Sequence, residues 1–370
     1  MSPLLLLALA QPADACGGLV TRDMVTKIAA SDAQQALFEI GSDSVRVTYR
    51  VRYVGDADDF AWIIPVPGEV ANVEEGSESM LDMLSTVTAP IVEWDAPDAE
   101  AESGGCSCLA TDMSLDKAGG DRNGISDSGD VDVLGEGFAG DYAYQVLSAT
   151  GAGAMSGWLA ENGYDGSISA DQVSDYENDA LGFVWIAVTL RPDVAVTAEG
   201  GVVLKPLTIT YGAAADGKMH ALFPSRMAAS TQLSEIRNEI FVIAENRVKA
   251  AGGWNSEDNL EEGFDVEGQE GDDPDELYDA LLRSQGAAKE LWTTWGGTND
   301  DLATGYITRL DTLVSPGTNT SDLVLEDAGD QPVVRTLIYM PQAHDTGYGA
   351  LIAPLALALG WKLRRRVARL

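Results

Sequence analysis

The stretch that decides the fold class is Ser44-Val-Arg-Val-Thr-Tyr-Arg-Val-Arg-Tyr-Val54, along which apolar and polar side chains alternate strictly. The apolar positions are Val45, Val47, Tyr49, Val51 and Tyr53, and the polar ones are Arg46, Thr48, Arg50 and Arg52. Successive side chains of a strand point to opposite faces of its sheet. The pattern therefore predicts a strand of an antiparallel sheet with one face buried and the other in water.

The next segment along the chain is more apolar. It reads Phe60-Ala-Trp-Ile-Ile-Pro-Val-Pro67 and follows a turn at Gly55 and Asp56. An apolar run of this length that ends in prolines predicts a second, more buried strand. Because only a short turn separates the two strands, the sequence predicts that they form a β-hairpin.

Other segments show strand or helix patterns separated by turns that carry glycine or aspartate. The predicted strands are 131–134, 143–149, 181–190, 202–211, 219–223, 239–249, 306–314 and 333–339. Capping residues and helical spacing predict helices at 77–88, 151–162 and 275–292. Since turns rather than crossover helices join most strands, we expect an α+β fold of mainly antiparallel β-sheet with a few short helices.

The chain is strongly acidic. It has 59 Asp and Glu residues against 23 Lys and Arg, which gives a formal net charge of -36. Two acidic stretches stand out, a loop at 95–130 and a linker at 255–274. Neutralising phosphates requires Lys and Arg, so we expect no nucleic-acid partner. Cations, basic partners or a saline medium suit this charge better.

Both ends of the chain predict export and a membrane anchor. An apolar run followed by an A-x-A pattern at 13–15 is typical of a signal peptide, here residues 1–15. Residues 346–363 lack acidic side chains and predict one C-terminal transmembrane helix, and the basic tail 364–370 belongs on the cytoplasmic side. We therefore expect residues 16–343 in the periplasm or outside the cell. A buried N-terminal strand and a buried C-terminal helix are the alternatives.

Three cysteines, Cys16, Cys106 and Cys108, are candidates for a disulfide bond, the ordinary use of cysteine in an oxidising compartment. We favour a bond from Cys16 to Cys106 or Cys108, because a direct bond between Cys106 and Cys108 closes a strained ring. Lipidation of Cys16 is the rival interpretation. A metal site at Cys106 and Cys108 lacks a nearby histidine.

One segment rich in aspartate and glycine offers oxygen ligands for a metal ion. The candidate ligands are Asp121, Asn123, Asp127, Asp130 and Asp132. Hard oxygen donors on a flexible turn suit calcium, although their spacing is not that of an EF-hand. The alternative interpretation is a solvated acidic loop.

Other motifs give little support to a catalytic function. Gly135-Glu-Gly-Phe-Ala-Gly140 matches the glycine pattern of dinucleotide-binding loops, but a strand follows it instead of a helix, so we expect no nucleotide cofactor. The chain has only two histidines, His220 and His344, and we expect His220 to be a packed or surface residue. Trp158, Trp185, Trp254, Trp292 and Trp295 are expected in the core rather than on a carbohydrate-binding face.

A series of short blocks, in order along the chain, resembles a bacterial family. The blocks are Cys16-Gly-Gly, Asp59-Phe-Ala-Trp-Ile-Ile-Pro-Val-Pro67, Thr88-Ala-Pro-Ile-Val-Glu93, Val131-Asp-Val-Leu-Gly-Glu136, Tyr144-Gln-Val-Leu-Ser-Ala149, Trp158-Leu-Ala-Glu-Asn-Gly-Tyr164, Phe183-Val-Trp-Ile-Ala-Val188, Leu204-Lys-Pro-Leu207 and Glu239-Ile-Phe-Val-Ile-Ala-Glu-Asn-Arg247. Over residues 16–315 they are similar to the family catalogued as domain of unknown function 2330. The resemblance implies a secreted or membrane-tethered envelope protein and supplies no catalytic residues.

Two functional hypotheses follow from the sequence. The first is an exported, membrane-anchored acidic envelope protein with a binding or structural role, assisted by calcium, whose partner is an envelope protein or polysaccharide. The second is an envelope-polymer hydrolase that uses Asp and Glu for acid–base catalysis. A deep pocket that encloses two carboxylates would favour the hydrolase, and a shallow face with scattered acids would favour binding.

Overall fold

The computed structural model describes residues 18–21, 29–55, 60–89, 91–95, 131–164, 168–192, 194, 202–230, 235–251, 255–257, 264–265, 290–298, 305–314, 321–329, 334–335, 337–341 and 366–367. Within these residues the chain forms three short α-helices, α1 (Glu78–Val87), α2 (Ala154–Glu161) and α3 (Ala170–Glu177), and a 3₁₀ turn at Ser225–Ser230. The strands are β1 (Gly18–Thr21), β2 (Ala29–Ile40), β3 (Val45–Gly55), β4 (Phe60–Val66), β5 (Val70–Glu75), β6 (Ile91–Asp95), β7 (Val131–Ala139), β8 (Tyr142–Ala149), β9 (Val184–Leu190), β10 (Val202–Val203), β11 (Leu207–Tyr211), β12 (Ala221–Phe223), β13 (Ile236–Ala244), β14 (Val248–Ala251), β15 (Asn255–Glu257), β16 (Phe264–Asp265), β17 (Glu290–Thr298), β18 (Tyr306–Val314), β19 (Leu323–Asp327), β20 (Val334–Arg335), β21 (Leu337–Pro341) and β22 (Arg366–Val367).

Two sheets form the body of the fold. The large sheet has ten strands in the order β15-β17-β18-β13-β2-β3-β11-β5, with β10 paired to β3 and β20 paired to β17. The small sheet has five antiparallel strands in the order β1-β4-β9-β8-β7. Two minor sheets complete the described strands, β12-β19-β14 and β22-β16-β21-β6. The strand-rich α+β class is confirmed, but the pairing is mixed, since β2 runs parallel to β13 and β15 runs parallel to β17.

The predicted hairpin of the first two strands is wrong. β3 lies in the large sheet between β2 and β11, whereas β4 lies in the small sheet between β1 and β9. Every residue of β4 is buried, so this strand needs covering layers on both faces, which a half-exposed hairpin does not provide. The two strands instead face each other across the core, where the rings of Tyr53 and Phe60 stack with centroids 4.7 Å apart.

The inner faces of the two sheets pack together and form the main core. The odd-numbered apolar residues of β3 lie on this face with β4, β9, β11 and β13, so the alternation of the opening stretch predicts its buried face correctly. Tyr49 illustrates the packing, since its ring makes edge contacts with Phe38 of its own sheet and Trp62 of the other sheet, both at 6.1 Å. Helices cover the outer faces, so the body has four layers.

The predicted helix at 77–88 is confirmed as α1, which covers the outer face of the large sheet. The Ser77 hydroxyl caps it by accepting a hydrogen bond from the Met80 backbone N–H at 3.3 Å. Leu81 and Leu84, spaced to share one face, are fully buried against apolar side chains of β2, β13 and β18. The helix therefore follows directly from the cap and the spacing.

Helices α2 and α3 cover the outer face of the small sheet. Trp158 of α2 and Trp185 of β9 are buried in this second core, as predicted for both tryptophans. The sequence did not predict α3, although it begins with a capping box in which Ser169 and Gln172 exchange hydrogen bonds.

The structure also tests the predicted bounds of several strands and of one helix. The strand predicted at 306–314 coincides with β18, and those at 131–134 and 143–149 belong to β7 and β8, which extend toward a shared turn. The helix predicted at 275–292 is wrong at its end, because residues 290–292 begin β17; the rest of it lies outside the described residues.

The predicted signal peptide (1–15) and transmembrane helix (346–363) lie outside the described residues, as does most of the acidic loop. Among the helices that the structure describes, none has the length and apolar content of a membrane span. Within 255–274, the strands β15 and β16 pair with β17 and β21 respectively.

A buried ion-pair network fixes α1 to the large sheet. The guanidinium of Arg309 in β18 donates to both carboxylate oxygens of Asp311, at 2.9 and 3.1 Å, and to Oε1 of Glu239 in β13, at 2.7 Å. It also donates to the backbone oxygen of Ser85 at 3.0 Å and to the hydroxyl of Thr88 at 3.4 Å. The Arg309 side chain is 3% exposed and that of Asp311 is 0% exposed. One guanidinium thus joins two strands and the C-terminal part of α1.

We expect Arg309→Met to lower the free energy of unfolding by about 3–5 kcal/mol, because it leaves buried carboxylates without their counter-ion. Urea unfolding of the purified protein measures this change. The matched control is Arg46→Met on the same sheet face, where the pair with Glu39 is about two-fifths exposed and we expect a loss below about 1 kcal/mol. Equal losses in the two variants would contradict the assigned role of Arg309.

Candidate functional site

A shallow polar groove lies on the outer face of the large sheet, beside α1. Strands β2, β3 and β13 form its floor, and the flank of α1 forms one wall. We call it the α1 groove, and its volume is about 430 Å³. Its lining residues are Ala33, Gln34, Gln35, Arg50, Val51, Arg52, Asp82, Ser85, Val203, Arg237 and Glu239.

Strand register places the groove side chains in two rows across the sheet. In the row nearer α1, Arg50 of β3 lies opposite Gln35 of β2, which lies opposite Glu239 of β13. In the second row, Arg52 lies opposite Ala33, which lies opposite Arg237. Because residues two apart share a face, all these side chains belong to the outer face of the sheet.

Hydrogen bonds link the first row continuously. The Arg50 Nε donates to Oε1 of Gln35 at 2.6 Å, and the Gln35 amide donates to Oε2 of Glu239 at 2.6 Å. From α1, the Ser85 hydroxyl donates to the same Glu239 oxygen at 3.1 Å, and Asp82 accepts from the Arg50 guanidinium at 2.7 Å. The amide and both carboxylates are thus held in fixed orientations.

This arrangement suits recognition better than acid–base catalysis. Both oxygens of Glu239 accept hydrogen bonds, since Oε1 is held by Arg309, and Asp82 is paired with Arg50. A catalytic carboxylate needs a free oxygen directed at the substrate. The groove is lined instead by the guanidinium groups of Arg50, Arg52 and Arg237, and guanidinium groups bind carboxylates.

Sequence reasoning found only part of this groove. It placed Arg50 and Arg52 correctly on the polar face of β3. It did not single out Asp82, Arg237 or Glu239. A signal was present, because Arg237 and Glu239 are charged residues of a strand that is apolar apart from them and Asn238, and a charge in such a position requires a partner.

A second polar cluster joins α3 to the segment before β19. Oδ1 of Asp322 accepts from the Tyr176 hydroxyl at 2.8 Å and from the Arg226 backbone N–H at 2.9 Å, and Oδ2 lies 3.3 Å from the Arg226 guanidinium. Burial raises the pKa of the Asp322 carboxyl to about 6, against the opposing effect of Arg226. The carboxylate is 9% exposed and fully engaged, so the cluster holds elements together and does not form an accessible site.

His220 lies outside the α1 groove. Its Nε2 is 2.9 Å from Oδ2 of Asp216, within one turn that precedes β12. This hydrogen bond lowers the pKa of the Asp216 carboxyl. The half-buried position agrees with the expectation of a packed or surface residue.

Most of the other predicted site residues lie outside the part of the chain that the structure describes. Of the calcium candidates, only Asp132 is described, as an exposed residue of β7; Asp121, Asn123, Asp127 and Asp130 lie outside the described residues, as do Cys16, Cys106 and Cys108. In the described part of the chain no group of three His, Cys, Asp or Glu side chains is arranged to hold a metal ion. The glycine pattern at 135–140 belongs to β7 and its turn, and the strand expected to follow it is confirmed as β8.

Comparison with known proteins identifies one family. The sequence model of a family described as "Uncharacterized protein conserved in bacteria (DUF2330)" matches residues 10–326. No curated protein matches the chain. Among solved structures, the crystal structure of baculovirus P35 is similar at a TM-score of 0.32 and 10% identity, over 85% of this chain and 98% of that one. A similarity this low assigns no role to any residue.

Proposed function

We propose, from the premise that this chain belongs to the DUF2330 family, that it is an exported, membrane-anchored protein of the bacterial cell envelope that binds an envelope polysaccharide in the α1 groove. The described residues form a strand-rich α+β body. The family description names no activity, so the proposal rests on the geometry of the groove and on the ends of the sequence.

The hydrogen bonding of the carboxylates in the α1 groove is the observation that favours a binding function over a hydrolytic one. Asp82 and Glu239 each accept hydrogen bonds from neighbouring side chains, and Glu239 is held from both sides. Glycoside hydrolysis requires one carboxyl that donates a proton and a second that acts as base or nucleophile. Because both oxygens of Glu239 are engaged, Asp82 alone cannot supply the two carboxyl roles, and the groove supports a binding role.

The chemistry of the groove favours a polysaccharide that carries carboxylates. Guanidinium groups form paired hydrogen bonds with carboxylates, and three arginines, Arg50, Arg52 and Arg237, line the groove of a chain that is otherwise strongly acidic. The Gln35 amide and the Ser85 hydroxyl are hydrogen-bonded within the groove, where they hold Arg50 and Glu239 in position. An extended open groove suits a polymer better than a small molecule.

We expect the purified protein to bind alginate, a soluble polymer of uronic acids, and to bind neutral dextran much more weakly. The double variant Arg52→Ala with Arg237→Ala should weaken alginate binding at least about tenfold, because hydrogen bonds to charged groups each contribute about 1.5–3 kcal/mol. Affinity electrophoresis in salt of physiological strength, which screens the net negative charge, measures this.

The matched control is Arg46→Ala. Arg46 lies on the same strand and face as Arg52 but outside the α1 groove, so this variant should leave alginate binding unchanged. Unaltered melting midpoints establish that the variants fold. Equal binding by the native protein and the double variant would contradict the proposal, as would equal affinity for alginate and dextran.

The proposed topology places the basic tail in the cytoplasm and the acidic body outside it, which requires that β22 (Arg366–Val367) leaves its pairing with β16 (Phe264–Asp265) when the chain enters the membrane. An apolar segment at 346–363 favours lipid over water, and the arginines of 364–370 oppose transfer across the membrane. We expect carbonate-washed membranes to retain the full chain and to release a variant that ends before Thr346. A tag fused after Leu370 should be inaccessible from outside intact cells; an accessible tag or a cytosolic protein would contradict this topology.

Calcium binding by Asp121, Asn123, Asp127, Asp130 and Asp132 remains part of the proposal. An ion that binds only the folded state stabilises it by about 2.7 kcal/mol at a hundred times its dissociation constant, so millimolar calcium should raise the melting midpoint relative to chelator. Asp127→Asn with Asp130→Asn should abolish the rise, and Glu161→Gln, exposed on α2, should not. An unchanged midpoint in native protein would remove calcium from the proposal.

A further inference from the structure

The two main sheets end side by side at one margin of the sandwich, and a cleft lies between their last strands. β5 is the last strand of the large sheet, and β7 is the last strand of the small sheet. We call the space between them the edge cleft, which has a volume of about 380 Å³. Its lining residues are Glu69, Val70, Ala71, Asn72, Val73, Leu134, Gly135, Glu136, Tyr144 and Val146.

The cleft is open beside Gly135 of β7, which has no side chain to fill the space there. A bulge at Val133–Gly135 interrupts the pairing of β7 with β8, and glycine follows at positions 135 and 137. A Cβ built on Gly135 meets no atom within 4 Å, so the space there is empty. The opposite end is closed, where the backbone of Gly140 lies against the Glu75 side chain and Lys205 is 3.3 Å from Asp141.

The backbone of β5 borders this cleft with unused hydrogen-bonding groups. Within the described residues, β5 pairs on one side with β11 and on the other side with no strand. Five consecutive residues, Glu69–Val73, line the cleft, so the strand runs along it. Exposed edge strands usually carry lysine, proline or a cover that prevents further pairing. β5 reads Val70-Ala-Asn-Val-Glu-Glu75; it carries neither lysine nor proline, and its two charged residues, Glu74 and Glu75, lie outside the cleft lining.

The side chains around the edge cleft combine apolar and acidic character. Leu134 is 58% exposed and Val133 is 38% exposed, which is unusual for large apolar residues next to a core. Glu69, Asp132 and Glu136 are exposed carboxylates that make no ion pair with the described residues. An occupant therefore needs alternating apolar and basic side chains on a backbone that completes the β5 edge.

We propose that the edge cleft binds an extended, basic segment of a partner protein, which adds to the free edge of β5 as a further strand. Strand addition of this kind draws affinity from backbone hydrogen bonds and specificity from alternate side chains. Charge argues against other occupants. A second copy would set acidic edges against each other, and the acidic loop at 95–130 has the same sign as the cleft. This surface is distinct from the α1 groove.

The test uses the full chain and a short synthetic peptide of alternating arginine and valine. We expect binding in fluorescence anisotropy, with slowed amide hydrogen exchange in β5. The same peptide with alternate backbone nitrogens methylated keeps its charges but loses its donors, so its binding should be abolished. Undiminished binding of the methylated peptide, or binding without slowed exchange in β5, would overturn the proposal.

Two groups of variants test the location of the peptide. Glu69→Gln with Glu136→Gln should weaken peptide binding at least about tenfold, whereas Glu161→Gln with Glu326→Gln, both exposed elsewhere, should have little effect. Gly135→Trp fills the open space at a position with ordinary backbone angles and should abolish binding with an unchanged melting midpoint.

Leu134→Lys provides a second blocking variant that does not depend on tolerance at Gly135. It adds a like charge to the path of the peptide and should weaken binding by a similar factor. Full-strength binding by both Gly135→Trp and Leu134→Lys would exclude the edge cleft as the site. Concentration-dependent dimers of the native chain that Leu134→Lys abolishes would instead identify a second copy as the occupant and overturn the proposal.

Discussion

The Arg309 guanidinium is the group on which the outer face of the large sheet depends. It lies beneath α1 and satisfies a fully buried carboxylate, Asp311, together with Glu239 and a backbone oxygen near the end of the helix. A buried charge is tolerated only when it is paired and hydrogen-bonded, so these groups fix one another in a single arrangement. Through Glu239 the network continues to Gln35 and on to the α1 groove. The groove therefore has a floor whose side chains are held in place before any ligand arrives.

Local patterns in the sequence predicted the parts of the fold that local physics determines. Strict alternation identified β3 and its buried face, and a cap with helical spacing identified α1. The same approach missed β2, which reads Ala-Ala-Ser-Asp-Ala-Gln-Gln-Ala-Leu-Phe-Glu-Ile. Apolar residues would reveal a strand here, but the chain has Gln34, which is buried, and Gln35, which belongs to the hydrogen-bond network. The parallel partner of β2, strand β13, lies some two hundred residues away, and no local signal encodes such pairing. The hairpin error has the same origin, since a short connection predicts proximity but does not distinguish side-by-side pairing from packing across a core.

The distribution of charge divides the surface into an arginine-rich region and an acidic region, which attract ligands of opposite charge. The chain is acidic as a whole, yet four of its sixteen arginines, Arg46, Arg50, Arg52 and Arg237, occupy neighbouring strands on the outer face of the large sheet. A surface of the opposite charge lies at the edge of β5 and β7. The carboxylates that line the edge cleft there make no ion pair with the described residues. Beyond a Debye length of about 8 Å in physiological salt, the net charge has little influence on an approaching molecule. Recognition at each surface therefore depends on the charges that lie within it.

The α1 groove and the edge cleft are positioned by one continuous piece of chain. β5 borders the cleft and ends at Glu75, and α1, the wall of the groove, begins at Glu78. Gly76 between them donates its N–H to the Pro206 oxygen at 2.8 Å, and a Cβ there would lie 2.6 Å from a methyl group of Thr48. Coupling between two sites requires an element with two alternative states. This connection is tightly packed next to a helix held by Arg309, and the structure shows it in one arrangement. The geometry therefore favours two surfaces that bind independently, each pre-formed on the same rigid sheet.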